Sequence, residues 1–231
     1  MIYENIIGGI FISRPNRFIA ICSINGKEET VHVKNTGRCR ELLVPGAKVI
    51  LEISSNPNRK TKYDLIAVYK GNLLINMDSQ CPNKVVFEWL CAGGLVKNPD
   101  KVVPEKVFGK SRLDFYLEKD SKKIYAEVKG VTLENNQVAS FPDAPTTRGT
   151  KHLKELISAV NNGFDAYIIF VLQMKGCSLF TPNYATDSDF ANTLKKAYNC
   201  GVKVLALDCV VTENSVKIDS LVEICLDKID K

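Results

Sequence analysis

No two of the eight cysteines (Cys22, Cys39, Cys81, Cys91, Cys177, Cys200, Cys209, Cys225) form a C-x-x-C pair. That absence removes zinc and iron–sulfur frameworks, whose ligands come in closely spaced pairs. Neither G-x-G-x-x-G nor the P-loop pattern G-x-x-x-x-G-K-S/T occurs, which leaves no fingerprint for a dinucleotide or nucleoside triphosphate. Long apolar runs are missing as well. The longest are strand-sized, so no membrane span and no membrane partner are expected. The opening MIYENIIGGIF has an early acid and no basic region, unlike a signal peptide. Scattered cysteines without a secretory signal read as reduced thiols packed as small core hydrophobes, with disulfides a poor second choice, in a cytoplasmic protein.

What is present is an ordinary globular composition. Over 231 residues, 45% are hydrophobic and 25% charged, which excludes disorder and allows one large domain or two small ones. The net charge of +5 is unevenly spread: residues 1–80 hold 11 Lys/Arg against 7 Asp/Glu, and residues 81–231 hold 20 against 19. A polyanion would first be gripped in the first third. A solvated, lysine-rich surface would give the same count.

Within a first domain over 1–80, residues 9–76 read as β throughout, with short strands at 9–12, 18–24, 29–33, 48–54 and 65–69, and a hairpin signal at Asn25-Gly26. About five strands in that length predict a small OB-like barrel. Its basic residues Arg14, Arg17, Arg38, Arg59, Lys60 and Lys62 are candidate nucleic-acid contacts, and the run from Asn58 to Tyr63 sets a basic cluster beside an aromatic. Asn35-Thr36-Gly37-Arg38 is either a phosphate-binding loop or a plain turn.

A polar break at 77–82 predicts a boundary, with a second domain over 81–231 reading α-β-β-β-α-β-α-β, a mixed sheet flanked by helices. Asn83 is an N-cap candidate for a helix through Ala92 that carries Glu88 among apolar residues. A strand at 105–110 leads into the stretch 112–129, RLDFYLEKDSKKIYAEVK. Read with period two, Leu113, Phe115 and Leu117 alternate with Arg112, Asp114 and Tyr116, and Ile124, Ala126 and Val128 with Tyr125, Glu127 and Lys129. A turn centred on Asp120-Ser121 sets Asp114 across from Glu127, with Lys129 next on the same face. Cross-strand partners lie about 5 Å apart, so two carboxylates and an ammonium converge.

Residues 134–150 read as a long polar loop, too long for mere linkage. A helix over 148–161 carries Arg148, Lys151 and His152 on its polar sides, with His152 on its surface, and Gln173 ends the buried strand 166–173, closing the pocket. A helix over 189–199, a buried strand at 202–211 and a short strand near 216–218 or 221–226 complete the chain.

Asp, Glu-x-Lys on consecutive strands between two helices resembles the PD-(D/E)xK nuclease-like superfamily. Phosphodiester cleavage needs a hard cation, and Asp114, Glu127 and the carbonyl of Val128 suffice to hold Mg²⁺ or Mn²⁺ together with waters. Lys129 can then orient the nucleophile, and Glu88 can add an acid through a water. A surface salt-bridge cluster would show the same letters.

The segments NTGRCRELLVPG (35–46), GKSRLDF (109–115), EVKGVTL (127–133) and FPDAPTTRGTKHL (141–153) resemble the hallmarks of the sugar fermentation stimulation protein family, SfsA. That resemblance spans nearly the whole chain. It implies an OB-like domain, a nuclease-like domain, DNA binding and a role in controlling the use of sugars of the maltose type. By position it implies Glu88, Asp114, Glu127 and Lys129 as nuclease-type residues, with Arg112, Arg148 and His152 nearby. Two functions follow: a Mg²⁺-dependent nuclease acting on DNA or RNA, or a DNA-binding regulator that keeps the fold without cutting. Nothing in the sequence sets an oligomeric state.

Overall fold

The computed structural model describes residues 1–35 and 37–229. Thr36, within the candidate loop 35–38, lies outside the described residues.

The N-terminal strands are β1 (Ile6–Asn16), β2 (Ile19–Ile24), β3 (Lys27–Val33), β4 (Lys48–Ile53), β5 (Tyr63–Lys70) and β6 (Leu73–Asn76). They follow the order β3-β2-β1-β4-β5-β6, and a further parallel pairing of β3 with β5, from Val31↔Tyr63 to Val33↔Leu65, closes five of them into a barrel. Closure removes the free edges that a five-stranded ribbon would expose. The tight turn between β2 and β3 is made by Asn25 and Gly26, with φ of 51° and 78°, the left-handed pair a two-residue hairpin requires. The strand β6, reached through Gly71, was not expected from the sequence; only four residues long, it gave the alternation too little length to register.

Helix α1 spans Cys81–Cys91. It begins earlier than an N-cap at Asn83 would allow, because Pro82 occupies the first turn, where its missing N–H costs nothing. The main sheet is ordered β15-β14-β12-β9-β8-β7, from β15 (Val216–Leu221), β14 (Lys203–Val211), β12 (Asp165–Leu172), β9 (Lys122–Val131), β8 (Ser111–Lys119) and β7 (Lys101–Phe108). The centre, β14-β12-β9, is parallel and the edges are antiparallel. Pro104 sits within β7, which is tolerated because β7 is an edge strand.

Residues 134–150 are not a continuous loop. They hold β10 (Leu133–Asn135) and β11 (Val138–Phe141), turned at Asn136 and Gln137 with φ of 50° and 64°, and these join β13 (Leu179–Pro182) and β16 (Glu223–Ile224) in a small second sheet. Helix α2 (Thr147–Asn161) follows, its first turn capped by Thr146 Oγ1, which accepts from the Gly149 N–H at 3.0 Å. Helix α3 (Ser188–Asn199) is capped by Asp187, whose other oxygen accepts from the Thr146 N–H at 2.7 Å and so ties the two helix starts together.

The sheet is covered on both faces. Val85, Val86 and Leu90 of α1 pack with Phe115, Ala126, Val128 and Ile169. Leu153 and Leu156 of α2 pack with Tyr125, Ile168 and Phe170, in a cluster that continues without a break into barrel residues Phe11, Cys22 and Val31.

Candidate metal centre

The β8–β9 hairpin turns at Asp120 and Ser121, with φ of 46° and 69°. Its ladder runs from Lys119↔Lys122 to Phe115↔Ala126. One step further along that register, Asp114 faces Glu127. There β9 leaves β8 and continues along β12 (Ile168↔Glu127 to Leu172↔Val131). On its other side β8 pairs with β7 from Pro104↔Phe115 to Lys106↔Leu113, passing over the rung where Glu105, with φ of 56°, would meet Asp114. The strict alternation expected of 113, 115 and 117 therefore breaks: Leu113 enters the core with Leu153, while Phe115 and Leu117 enter the opposite one with Val85. The kink turns the Asp114 side chain toward the gap between the strands.

In that gap Asp114 Oδ2 accepts from the Val128 N–H at 2.7 Å, and Oδ1 accepts from Asn83 Nδ2 at 2.9 Å. Asn83, read from sequence as a cap, is thus a site residue contributed by the first turn of α1, and no signal in the sequence marks it as one. Glu127 is 2% exposed. Its Oε1 accepts from His152 Nδ1 and from Lys129 Nζ, whereas Oε2 is buried with no hydrogen-bond partner. Burial followed by the nearby Glu127 charge pushes the Asp114 carboxyl above the usual carboxylate range, against the opposing pull of the Val128 N–H and Lys129. Burial also works against ionised Glu127, but the His152 hydrogen bond and the Lys129 ammonium outweigh it and hold that carboxyl below its ordinary value.

Among the described residues no three His, Cys, Asp or Glu side chains gather as a metal cluster. Two carboxylates do, both hard oxygen donors, one with a buried oxygen that lacks a partner and the other disfavoured as an anion by its neighbour's charge. That donor set fits a cation of the Mg²⁺ type, which takes one or two protein carboxylates and keeps several waters. Asp114 and Glu127 would hold it.

Other expected residues are placed elsewhere. Glu88 is 57% exposed at its side chain and pairs with the Met1 amino group at 2.6 Å, because its position on α1 faces away from the sheet. His152 lies buried under α2, not on its surface, and cannot be a direct nucleic-acid contact. Arg14 donates to the carbonyls of Arg17, Asn35, Gly37 and Arg38 at 2.7–3.0 Å, so it braces the loop at 35–38. Arg59 makes two 2.7 Å bonds to Asp64, and the Tyr63 ring is buried with Lys62 Nζ 5.2 Å from its centroid, so the ring is not open to a stacking base. Arg17, Arg38, Lys60, Lys62, Arg112, Arg148 and Lys151 are exposed, Arg112 facing Glu105 at 3.3 Å and Lys151 donating to the Lys110 carbonyl at 3.2 Å. Gln173 is buried at the end of β12, where its Nε2 donates to Asn76 Oδ1 at 2.9 Å and to the Asp78 carbonyl at 3.1 Å. It joins the sheet to the barrel.

An OB barrel packed on a helix-flanked mixed sheet, with Asp, Glu and Lys at the splay of one hairpin, defines a restriction-endonuclease-like protein with an N-terminal OB domain. Models of two families match it: the SfsA N-terminal OB domain over residues 12–77 and the sugar fermentation stimulation protein RE domain over residues 80–215. The chain belongs to the sugar fermentation stimulation protein family. It is 54% identical over 226 residues to the sugar fermentation stimulation protein homolog of Clostridium beijerinckii, covering 98% of this chain and 100% of that one. The homolog from Desulfitobacterium hafniense is 56% identical over 226 residues, covering 98% and 99%. The solved structure of Pyrococcus furiosus SfsA in complex with Ca²⁺ is 27% identical, with a TM-score of 0.85 over 97% of each chain.

Proposed function

We propose that this protein is a divalent-cation-dependent nuclease of the cytoplasm, in which the hairpin face cleaves phosphodiester bonds of a nucleic acid, DNA in the first instance, held partly by the barrel. The observation that carries the reading is Glu127: a buried carboxylate with one oxygen fixed by His152 and Lys129 and the other without a partner, beside a second carboxylate at Asp114. The Ca²⁺ complex of the Pyrococcus furiosus relative supports a divalent cation in this family; Mg²⁺ or Mn²⁺ is the working ion of this reading.

The chemistry such a cation supplies is neutralisation of charge on a phosphate oxygen and a lowered pKa for an attacking water. The protein does the rest. Asp114 and Glu127 bring negative charge to one side of the phosphate position. The Val128 N–H and Asn83 fix Asp114 against rotation. Lys129, 15% exposed at its side chain, spends one of its three donors on Glu127 and keeps the others for a phosphate oxygen or the attacking water. Exposed Arg38 and Arg148 would bind the backbone on either side.

A second reading is a DNA-binding regulator of sugar utilisation that does not cut. The displacement of Glu88 favours it, since the site then has two acids rather than three. Purified protein incubated with linear and circular DNA and with RNA, in Mg²⁺, Mn²⁺ or chelator, separates the two. The nuclease reading expects metal-dependent cleavage, lost in Lys129→Ala while substrate affinity stays nearly intact. Absence of cleavage on every substrate, with binding retained, would establish the regulator.

A further inference from the structure

His152 is one of only two histidines in the chain, and it is 6% exposed. It is presented by α2, whose Leu153 and Leu156 are fully buried and whose first turn is capped by Thr146, so the ring's backbone anchor is rigid. Its Nδ1 meets Glu127 Oε1, the same oxygen that accepts from Lys129. A carboxylate oxygen accepts, so in this contact the ring nitrogen is the donor. The terminal torsion of a glutamate is broad and nearly two-fold, so nothing intrinsic to the side chain decides which way its oxygens face. Two donors on Oε1 decide it. Lys129 alone is a poor orienter, being a compact charge on a flexible stem that rises from the same strand two residues on. A planar ring fixed by a packed helix sets a direction as well as a charge.

We propose that His152 is a positioning residue: it fixes Glu127 from α2 so that Oε2 stands free for a divalent cation, although the imidazole itself does not touch the ion. The inference rests on the reading of Asp114 and Glu127 as cation ligands. A histidine that only neutralised a buried acid would support stability and leave cation affinity alone. A positioning histidine sets the affinity, and partners of this kind change it about 10- to 100-fold when removed.

The test is calorimetric titration of the full chain with Ca²⁺ alone. His152→Ala weakens Ca²⁺ binding by about 10- to 100-fold. His152→Asn, whose amide nitrogen can occupy the place of Nδ1, recovers most of it, and Asp114→Asn abolishes it. If His152→Ala binds Ca²⁺ like the unaltered chain while Asp114→Asn does not, this inference falls and the ligand reading stands. If the unaltered chain shows no saturable Ca²⁺ binding, both fall. Should the His152 variants fail to fold, the unaltered chain still decides. With two histidines, the ring NMR signals are separable, and saturating Ca²⁺ is expected to shift those of His152 and leave those of His32, which is bonded to Asp64 in the barrel, in place. Unmoved His152 signals at saturation overturn the proposal.

Discussion

Asp114 accepts the backbone N–H of Val128 at 2.7 Å, across the point where their two strands part. The carboxylate therefore does two jobs: it takes the place of a missing ladder rung, and it carries charge into the site.

Separate substitutions pull those jobs apart. Asp114→Ala leaves the part-buried Val128 N–H without its acceptor and is expected to cost about 1–3 kcal/mol of stability. Asp114→Asn keeps an oxygen for Val128, and Asn83 can reverse its own amide to accept from the new one, so stability stays within about 1 kcal/mol. Both variants lose cation binding. Urea midpoints and Ca²⁺ titration on the same samples check the split; equal stability of the two variants would show that the Val128 bond carries no structural weight.

The hairpin and its chemistry were legible because the signals were local. Alternation from Arg112 to Lys129 and a two-residue turn at Asp120-Ser121 are enough to bring Asp114, Glu127 and Lys129 together. The five long barrel strands and the helices α2 and α3 were legible for the same reason. What could not be read depended on tertiary direction. Glu88 and Asn83 sit on one short helix, and only its packing shows that Asn83 turns to Asp114 while Glu88 turns to the Met1 amino group. His152 looked like a surface residue because its neighbours Lys151 and Lys154 are exposed, and the depth of the groove beneath it comes from β9, more than 20 residues away. Short strands such as β6, β10 and β13, of three or four residues each, have too little length for an alternation to register.

Asp64 gives the acid limb of stability. Burial opposes its charge, but the Arg59 fork, His32 and Lys34 overcome that and bring its carboxyl down to about 2. A carboxyl lowered by folding stabilises the native state above its unfolded value, near 4, and that contribution disappears as the pH falls through about 2. Asp64→Asn is expected to lower stability near neutrality by about 2 kcal/mol and to flatten the decline between pH 4 and pH 2. Urea unfolding across that range reads both effects; an unchanged acid limb would mean that other carboxylates carry it.

Exposed and tethered arginines should behave differently toward nucleic acid. Arg38 and Arg148 have exposed side chains, and Asp143 accepts the Arg38 N–H at 3.1 Å and so holds the barrel loop against the approach to α2. Replacing either with Ala is expected to weaken binding similarly for all sequences and to lower the salt slope by about one per lost phosphate contact. Arg14→Ala instead removes the brace under four carbonyls and shows first as a lowered melting temperature. Binding isotherms at several salt concentrations, beside thermal melts, distinguish the two classes. A slope unchanged in both Arg38→Ala and Arg148→Ala would move the nucleic-acid path elsewhere.

Gly130 follows Lys129 and lies where the barrel, α1 and the sheet meet. A Cβ there would stand 2.5 Å from Gln173 Oε1 and 2.7 Å from Pro82 Cγ. Neither neighbour can yield easily. Pro82 is buried and its ring is part of the first turn of α1, and Gln173 is committed through Nε2 to Asn76 and Asp78 on the barrel side. Gly130→Ala must therefore displace α1 or break the Gln173 link, and overpacking of this kind costs about 1–3 kcal/mol. Displacement of α1 would carry Asn83 away from Asp114, so the same substitution should weaken Ca²⁺ binding although it introduces no charge. Gln173→Ala separates the causes: it removes the clash and the barrel link together, leaving Pro82 as the sole obstacle. If Gly130→Ala in the Gln173→Ala background regains Ca²⁺ affinity but not stability, the barrel junction and the metal centre are coupled through Gln173. If affinity is lost in both backgrounds, the coupling runs through Pro82 and the start of α1.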